Sequence, residues 1–223
     1  HGFEIILIDQ RNHGKSFHAD QFDYQTMSED LKKFLDEKKI QKVSLIGHSM
    51  GGKTIMNFIL NYPQYANKVI VVDILPKAYS NDYEKIFNSF SKMDLNNLKS
   101  RKQIDEYFLR FFSDHTFVSF LSKNINRDSN GNFKIKFNLN SIKSNILKIT
   151  SAIKTDRVFN EDILFMKGEY SNYIDDHGLS EAKKSFPKLS LVTIENSSHW
   201  IHYENQKKFL IEILNYLRTW ILK

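Results

Sequence analysis

The sequence has 223 residues and no cysteine, which excludes disulfides, thiolate nucleophiles and cysteine-held metal or iron–sulfur centres. Hydrophobic residues make up 41% and charged residues 26%, the balance of a globular protein long enough to bury a sizeable core. The net charge of +6 comes mainly from lysines that read as a solvated surface, and no basic run is interleaved with base-stacking aromatics, so no nucleic-acid partner is expected.

In chain order, Glu4–Asp9 (EIILID) reads as a strand. Thr26-x-x-Glu29 is a possible capping box opening a helix with Met27, Leu31, Phe34 and Leu35 on one face. Strand Val43–Gly47 leads into helix Met50–Tyr62, which carries Ile55, Ile59 and Tyr62 at helical spacing and stops before Pro63. Strand Val69–Asp73 follows. Residues 77–160 then break the strand–helix rhythm. Tyr83–Met93, Ile104–Phe112 and Thr116–Lys123 look like short amphipathic helices. Asn130-Gly131 is a turn signal, and the alternating Phe133, Ile135 and Phe137 suggest a hairpin or extended arm. Ile142–Lys154 reads as a further helix. Strands Ile163–Gly168 and Leu189–Ile194 resume the pattern, the second alternating as an edge strand does. The closing helix Asn205–Leu222 carries Phe209, Leu210, Ile213, Leu214, Leu217 and Ile221. Four of the five strands are almost continuously apolar, as parallel strands covered on both faces are. The expected fold is α/β: a mostly parallel sheet with helices on both faces. Residues 1–76 and 161–223 form its core, and 77–160 form an inserted helical cap.

Gly47-His48-Ser49-Met50-Gly51 lies between a strand and a helix, the setting of a nucleophile elbow that pushes a serine hydroxyl outward. The alternative is a glycine-rich turn whose serine merely caps the helix. In the nucleophile reading, the Met50 N–H at the helix start faces a developing oxyanion. The candidate base is His199, in the loop after Leu189–Ile194 and at the sheet edge where open α/β folds bind ligands. His202 competes, but is read as opening the final helix or packing near the cap. A metal between these two histidines is not expected, because no third ligand is suitably spaced.

Five stretches, Ile8–Ser16, Leu45–Lys53, Val71–Tyr79, Phe165–Ile174 and Ser197–Glu204, together resemble the α/β-hydrolase superfamily. The nearest likeness is to its YbfF-like acyl-esterase subgroup, and it covers nearly the whole chain. Many members place the triad acid after the penultimate strand, as Gly-x-x-Asp. Here that loop reads Gly168-Glu169-Tyr170-Ser171, so Ser171 stands where the aspartate would be. The resemblance implies that Asp73, at the end of strand Val69–Asp73, serves instead with Ser171 hydrogen-bonding nearby. Glu169 is the rival acid. His48 and Ser171 are possible auxiliary residues. Asp175 and Asp176 read as the start of the next helix. Asp9, Arg11, Asn12 and His13 read as loop-stabilising, and His18, His115 and His177 as surface or cap residues. The family's second oxyanion donor comes from a His-Gly loop. His1-Gly2-Phe3 is either a remnant of it or the turn before the strand, and a native chain longer at this end is expected.

The expected function is a serine hydrolase that cleaves carboxylic esters or thioesters through Ser49, Asp73 and His199, with a small-molecule substrate and no cofactor or metal. Acyl-CoA substrates are implied by the resemblance alone. Phe87, Phe90, Tyr107, Phe108, Phe111 and Phe112 either line an acyl pocket or, for most of them, form the cap's own core. The alternatives are an amide or peptide hydrolase, for which Glu84, Asp94, Asp105 and Glu106 are available to hold a substrate amine, and a non-catalytic binding protein. No apolar run is long enough to span a bilayer and no signal peptide is visible, so a cytoplasmic location is expected.

Overall fold

The computed structural model describes residues 1–80 and 83–218. In chain order the helices and strands are α1 (Tyr24–Glu37), β1 (Val43–His48), α2 (Met50–Asn61), β2 (Ala66–Val72), α3 (Tyr83–Ser91), α4 (Arg101–Leu109), α5 (His115–Lys123), β3 (Ile125–Arg127), β4 (Phe133–Ile135), α6 (Leu139–Ser144), α7 (Ile146–Thr150), β5 (Ile163–Gly168), α8 (Asp176–Ser185), β6 (Leu189–Ile194), α9 (Ile201–Glu204) and α10 (Gln206–Arg218). They fall into two compact units, residues 23–79 with 148–223 and residues 1–22 with 80–147.

The first unit is the α/β sheet. Its strands run parallel in the order β1-β2-β5-β6, with β6 at an edge as its alternating sequence requires. Side chains on successive strand residues point to opposite faces, and both faces of the two central strands are buried. Val69, Val71, Ile163 and Phe165 pack with Leu35 of α1, Phe58 and Ile59 of α2, and Ala182 of α8. Ile70, Val72, Leu164 and Met166 turn the other way, onto Ile201 and Ile213 of α9 and α10. Among the described residues, no helix is long and apolar enough to cross a membrane.

Several boundaries differ from the sequence pattern for identifiable reasons. The capping box sits three residues earlier than expected: Asp23 accepts from Thr26 N at 2.9 Å, and the Thr26 hydroxyl accepts from Asp23 N at 3.3 Å. The final helix opens at Gln206, one residue later than expected, after Asn205, whose amide donates to Glu195 O at 2.8 Å; Ile221 and Leu222 of the expected helix lie outside the described residues. Ile142–Lys154 is not one helix. Asn145 interrupts it by turning its side chain to Asp20 O at 2.7 Å.

The second unit has its own core, built from Phe90, Met93, Ile104, Phe108, Val118, Leu121, Ile125 and Phe133. Phe90 and Phe108 are therefore structural, with rings 5.0 Å apart. The expected hairpin forms as β3 and β4, antiparallel, closed by Asp128, whose carboxylate accepts from Asn130 N and Asn132 N at 2.9 Å each. Residues 1–22, expected in the sheet core, cluster here instead. Asn12, fully buried in a left-handed conformation, explains the attachment. Its side chain donates to Ser141 Oγ at 3.0 Å and accepts from Ala19 N at 2.8 Å, while its carbonyl accepts from Asn138 N at 2.8 Å. The His13 ring lies 5.6 Å from Phe22 and 6.3 Å from Phe137, and burial lowers its pKa. Glu4–Asp9 is not a strand. None of the described strands pairs with it, and Ile5 and Leu7 are 76% and 92% exposed. Apolar content alone does not make a strand, because the ladder hydrogen bonds need a neighbour.

Two lysines depart from the solvated-surface reading. Lys68 lies buried with its Nζ 4.8 Å from the Tyr216 ring centroid. Lys53, on the buried face of α2, is 1% exposed. Its Nζ donates to Lys77 O at 3.1 Å and to Ser151 O, and lies 4.9 Å and 5.6 Å from the Tyr24 and Tyr79 rings. These partners sit close to the three places where the chain passes between the two units. Backbone bonds tie the same segments together: Tyr79 N donates to Thr150 O at 2.9 Å and Ile153 N to Pro76 O at 2.8 Å. Burial pushes the Lys53 pKa down to about 8. Between that value and 10.5 the unfolded chain holds a proton that the folded chain releases, so stability contributed by this residue rises with pH. Denaturant titrations of wild type and Lys53→Met between pH 8 and 10 should therefore diverge, the wild type gaining up to about 1.4 kcal/mol per pH unit relative to the variant. Parallel curves would show that Lys53 titrates normally.

Candidate active site

The C-terminal ends of the four parallel strands carry the candidate residues. Ser49 joins β1 to α2 with φ 52° and ψ −120°, a strained conformation for a non-glycine residue. Its backbone is pinned on both sides, Ser49 N donating to Val72 O at 3.0 Å and Lys53 N to Ser49 O at 3.1 Å. Its side chain makes no capping bond, which removes the helix-cap reading. The turn requires glycine at Gly47, where a Cβ would lie 2.4 Å from Gly51 O. Met50 opens α2, so its N–H is one of the four that a helix start leaves without an intrahelical acceptor.

One strand over, Asp73 follows β2 with φ 52° and is fully buried. Its Oδ2 lies 2.8 Å from His199 Nδ1 and accepts from the Ser171 hydroxyl, while Oδ1 accepts from Gly168 N at 3.1 Å. A carboxylate accepts only, so Nδ1 carries the imidazole proton and Nε2 is left as the basic nitrogen. The loop serine noted in the sequence, Ser171, is a donor to this carboxylate. Glu169 does not join this group. Its carboxylate accepts from Asn196 N at 2.8 Å and its own N–H donates to Ile194 O at 3.0 Å, joining the β5 and β6 loops away from the imidazole.

His199 is held from three directions. Besides Asp73, the Tyr173 ring stacks on it with centroids 4.0 Å apart and planes 19° from parallel. Its carbonyl lies 2.8 Å from His48 Nε2, and the two imidazoles are 4.6 Å apart. Since a carbonyl accepts, His48 Nε2 is the donor. The residue preceding Ser49 thus touches the residue expected to be its base. Burial, with His199 and His202 adding to it, pushes the His48 pKa down to about 3. His202 lies in α9, its ring 4.9 Å from His48 and 6.1 Å from Phe209, and packs rather than contacting the acid. Close packing of the loops depends on Gly168, where a Cβ would meet Ser198 O at 2.0 Å. Asp175 caps α8 by accepting from Gly178 N at 2.6 Å and pairs with Lys77. Among the described residues, no group of three or more His, Asp or Glu side chains gathers as metal ligands do.

Sequence reasoning singled out neither Tyr173 nor the Gly168 N–H. The amide has no sequence signal. Tyr173 has a weak one: it is an aromatic residue two positions beyond Ser171.

Residues 1–206 match a family described as the alpha/beta hydrolase fold. The chain belongs to the α/β-hydrolase family. Among similar α/β hydrolases of known structure, a marine microorganism esterase is 39% identical with a TM-score of 0.89, covering 93% of this chain and 82% of that one. Among curated proteins, an α/β-hydrolase domain-containing protein of Schizosaccharomyces pombe is 33% identical over 97% of this chain and 82% of its own length. The sn-1-specific diacylglycerol lipase ABHD11 of Danio rerio is 30% identical over 97% and 70%.

The lowered His48 pKa predicts acid lability in a definable range. The folded state resists protonating His48 until about pH 3, whereas the unfolded chain takes the proton near 6.5. Stability is therefore fully present above 6.5 and is lost as pH falls toward 3. In His48→Gln, urea-unfolding free energies should fall less steeply than wild type across this range, by up to about 1.4 kcal/mol per pH unit. Equal slopes would assign the acid lability elsewhere.

Proposed function

We propose that the protein is a serine hydrolase of small-molecule carboxylic esters and thioesters, with Ser49 as nucleophile, His199 as general base and acid, and Asp73 as the orienting acid. The observation that carries this reading is the buried Asp73–His199 pair, 2.8 Å apart, at the same sheet edge as a serine in strained backbone that caps nothing. The esterase and lipase names of similar proteins support the substrate class, and the quoted motifs suggest the small acyl-esterase subgroup.

The reaction follows from the tautomer. Nε2 of His199 takes the Ser49 hydroxyl proton as Oγ attacks the acyl carbon. Asp73 holds Nδ1–H and offsets the positive charge that then forms on the ring. The carbonyl oxygen becomes an oxyanion, and the Met50 N–H at the start of α2 donates to it with the favourable end of the helix dipole behind it. The imidazolium returns its proton to the departing alcohol or thiol. Water, deprotonated by the same nitrogen, releases the acid and restores Ser49. Acyl-CoA is one thioester class to test. Ser171 and the Gly168 N–H hold the acid aimed at the base.

The test is a series of p-nitrophenyl esters of increasing chain length, an acyl-CoA and an aminoacyl anilide. Ester turnover by the wild type should fall about a million-fold in Ser49→Ala and about ten-thousand-fold in Asp73→Asn, with Glu169→Gln within about threefold of wild type. Loss in Glu169→Gln with retention in Asp73→Asn would move the acid to Glu169. A fluorophosphonate that leaves the wild type unlabelled would remove the nucleophile assignment, and preferential anilide cleavage would move the substrate class to amides.

A further inference from the structure

We infer that Tyr173 is a positioning residue for His199, fixing the ring that the proposed hydrolysis uses and favouring its cationic form during turnover. The inference rests on that functional reading. It starts from the stack itself: a centroid separation of 4.0 Å at 19° is a face-to-face approach, in which the negative face of the phenol ring meets the imidazole. For a neutral imidazole this is ordinary packing. Once Ser49 has given up its proton, the imidazole is a cation over an aromatic face, and the attraction increases. An interaction stronger in the transition state than in the ground state raises the rate of the chemical step.

Tyr173 is itself built into position. Its N–H donates to Ser171 Oγ at 3.2 Å, the same hydroxyl that donates to Asp73. Its carbonyl accepts from the Tyr79 hydroxyl at 2.9 Å, and the Tyr79 ring lies 5.3 Å away at 27°. Tyr79 is anchored in turn, accepting from Leu75 N at 2.8 Å. Asp73, Ser171, Tyr173 and His199 therefore form a closed circuit of contacts. Asp73 fixes one atom of the imidazole and leaves rotation about that hydrogen bond free; the stacked ring restricts that rotation by fixing the plane. Placing a serine at the usual acid position lets one loop supply both a donor to the displaced carboxylate and, two residues on, the stacking partner of the base.

The experiment compares Tyr173→Phe with Tyr173→Leu, each standardised to active sites by fluorophosphonate titration. Tyr173→Phe keeps the ring and should retain kcat and KM. Tyr173→Leu should lose about tenfold in kcat, a loss within the range of a cation–aromatic contact, with KM within about twofold. A readout independent of turnover is the low-field proton resonance of His199 Nδ1–H, sharp in wild type and Tyr173→Phe and broadened or lost in Tyr173→Leu. Unchanged kcat and resonance in folded Tyr173→Leu would overturn the inference, as would equal losses in both variants. A wild type that hydrolyses no ester yet shows the resonance behaviour would sink the functional reading and leave the positioning of His199 standing.

Discussion

A carboxylate removed from water must have its charge answered, and Asp73 is such a group. It is fully buried at the end of β2, and its three partners come from the β5 loop and the β6 loop: the Gly168 N–H, the Ser171 hydroxyl and His199 Nδ1. Much of the geometry at this edge of the sheet follows from meeting that demand. β5 must bring its last amide within reach, the loop after it must fold back, and the β6 loop must pass so close to Gly168 that no side chain fits there. The imidazole that results has one defined proton and one defined lone pair. A buried charge serves stability poorly, but it specifies one arrangement of three loops.

Much of this was legible in the sequence because it is local. The strand–Gly-x-Ser-x-Gly–helix order reports a strained turn directly, whereas Asp73 stands out only through the family resemblance, beside Glu169 as a rival. The alternating pattern of Leu189–Ile194 marks the sheet edge. What stayed hidden depends on pairs distant in the chain. Tyr173 has no significance until the β6 loop lays His199 across it. Lys53 looks like any surface lysine until α2 packs its face against segments far away in sequence. Glu4–Asp9 was misread for the converse reason: its composition suits a strand, but the hydrogen-bonding neighbour that would make it one is not among the described strands. Asn145 breaks a helix that its neighbours' periodicity would continue, because its amide is claimed by a backbone carbonyl more than a hundred positions earlier.

The likeness to an esterase of known structure and the geometry around Asp73 rest on different observations. The first rests on identity spread over 93% of the chain, the second on a handful of atoms around one carboxylate. The geometry adds a division of labour among the histidines that similarity does not supply. His199 is paired to the acid, and His48 is neutral and donates to the backbone of its neighbour. His202 packs against the final helix. Three imidazoles within a few ångströms thus have three different tasks, each set by the partner that its nitrogen or ring face finds.

The tie between residues 76–79 and 148–153 has a consequence for how the chain can change. The backbone bonds Tyr79 N to Thr150 O and Ile153 N to Pro76 O, with Lys53 donating to carbonyls on both segments, hold the two ends of the inserted helical block side by side. Chain that leaves the sheet unit after Tyr79 and returns at Lys148 therefore starts and ends at points already tied together. Doubling the length of a closed loop costs only about 0.6 kcal/mol in chain entropy, so the block can grow, shrink or be exchanged while Ser49, Asp73 and His199 keep their frame. Length and composition between residues 80 and 147 and the arrangement of Ser49, Asp73 and His199 are thus free to vary separately.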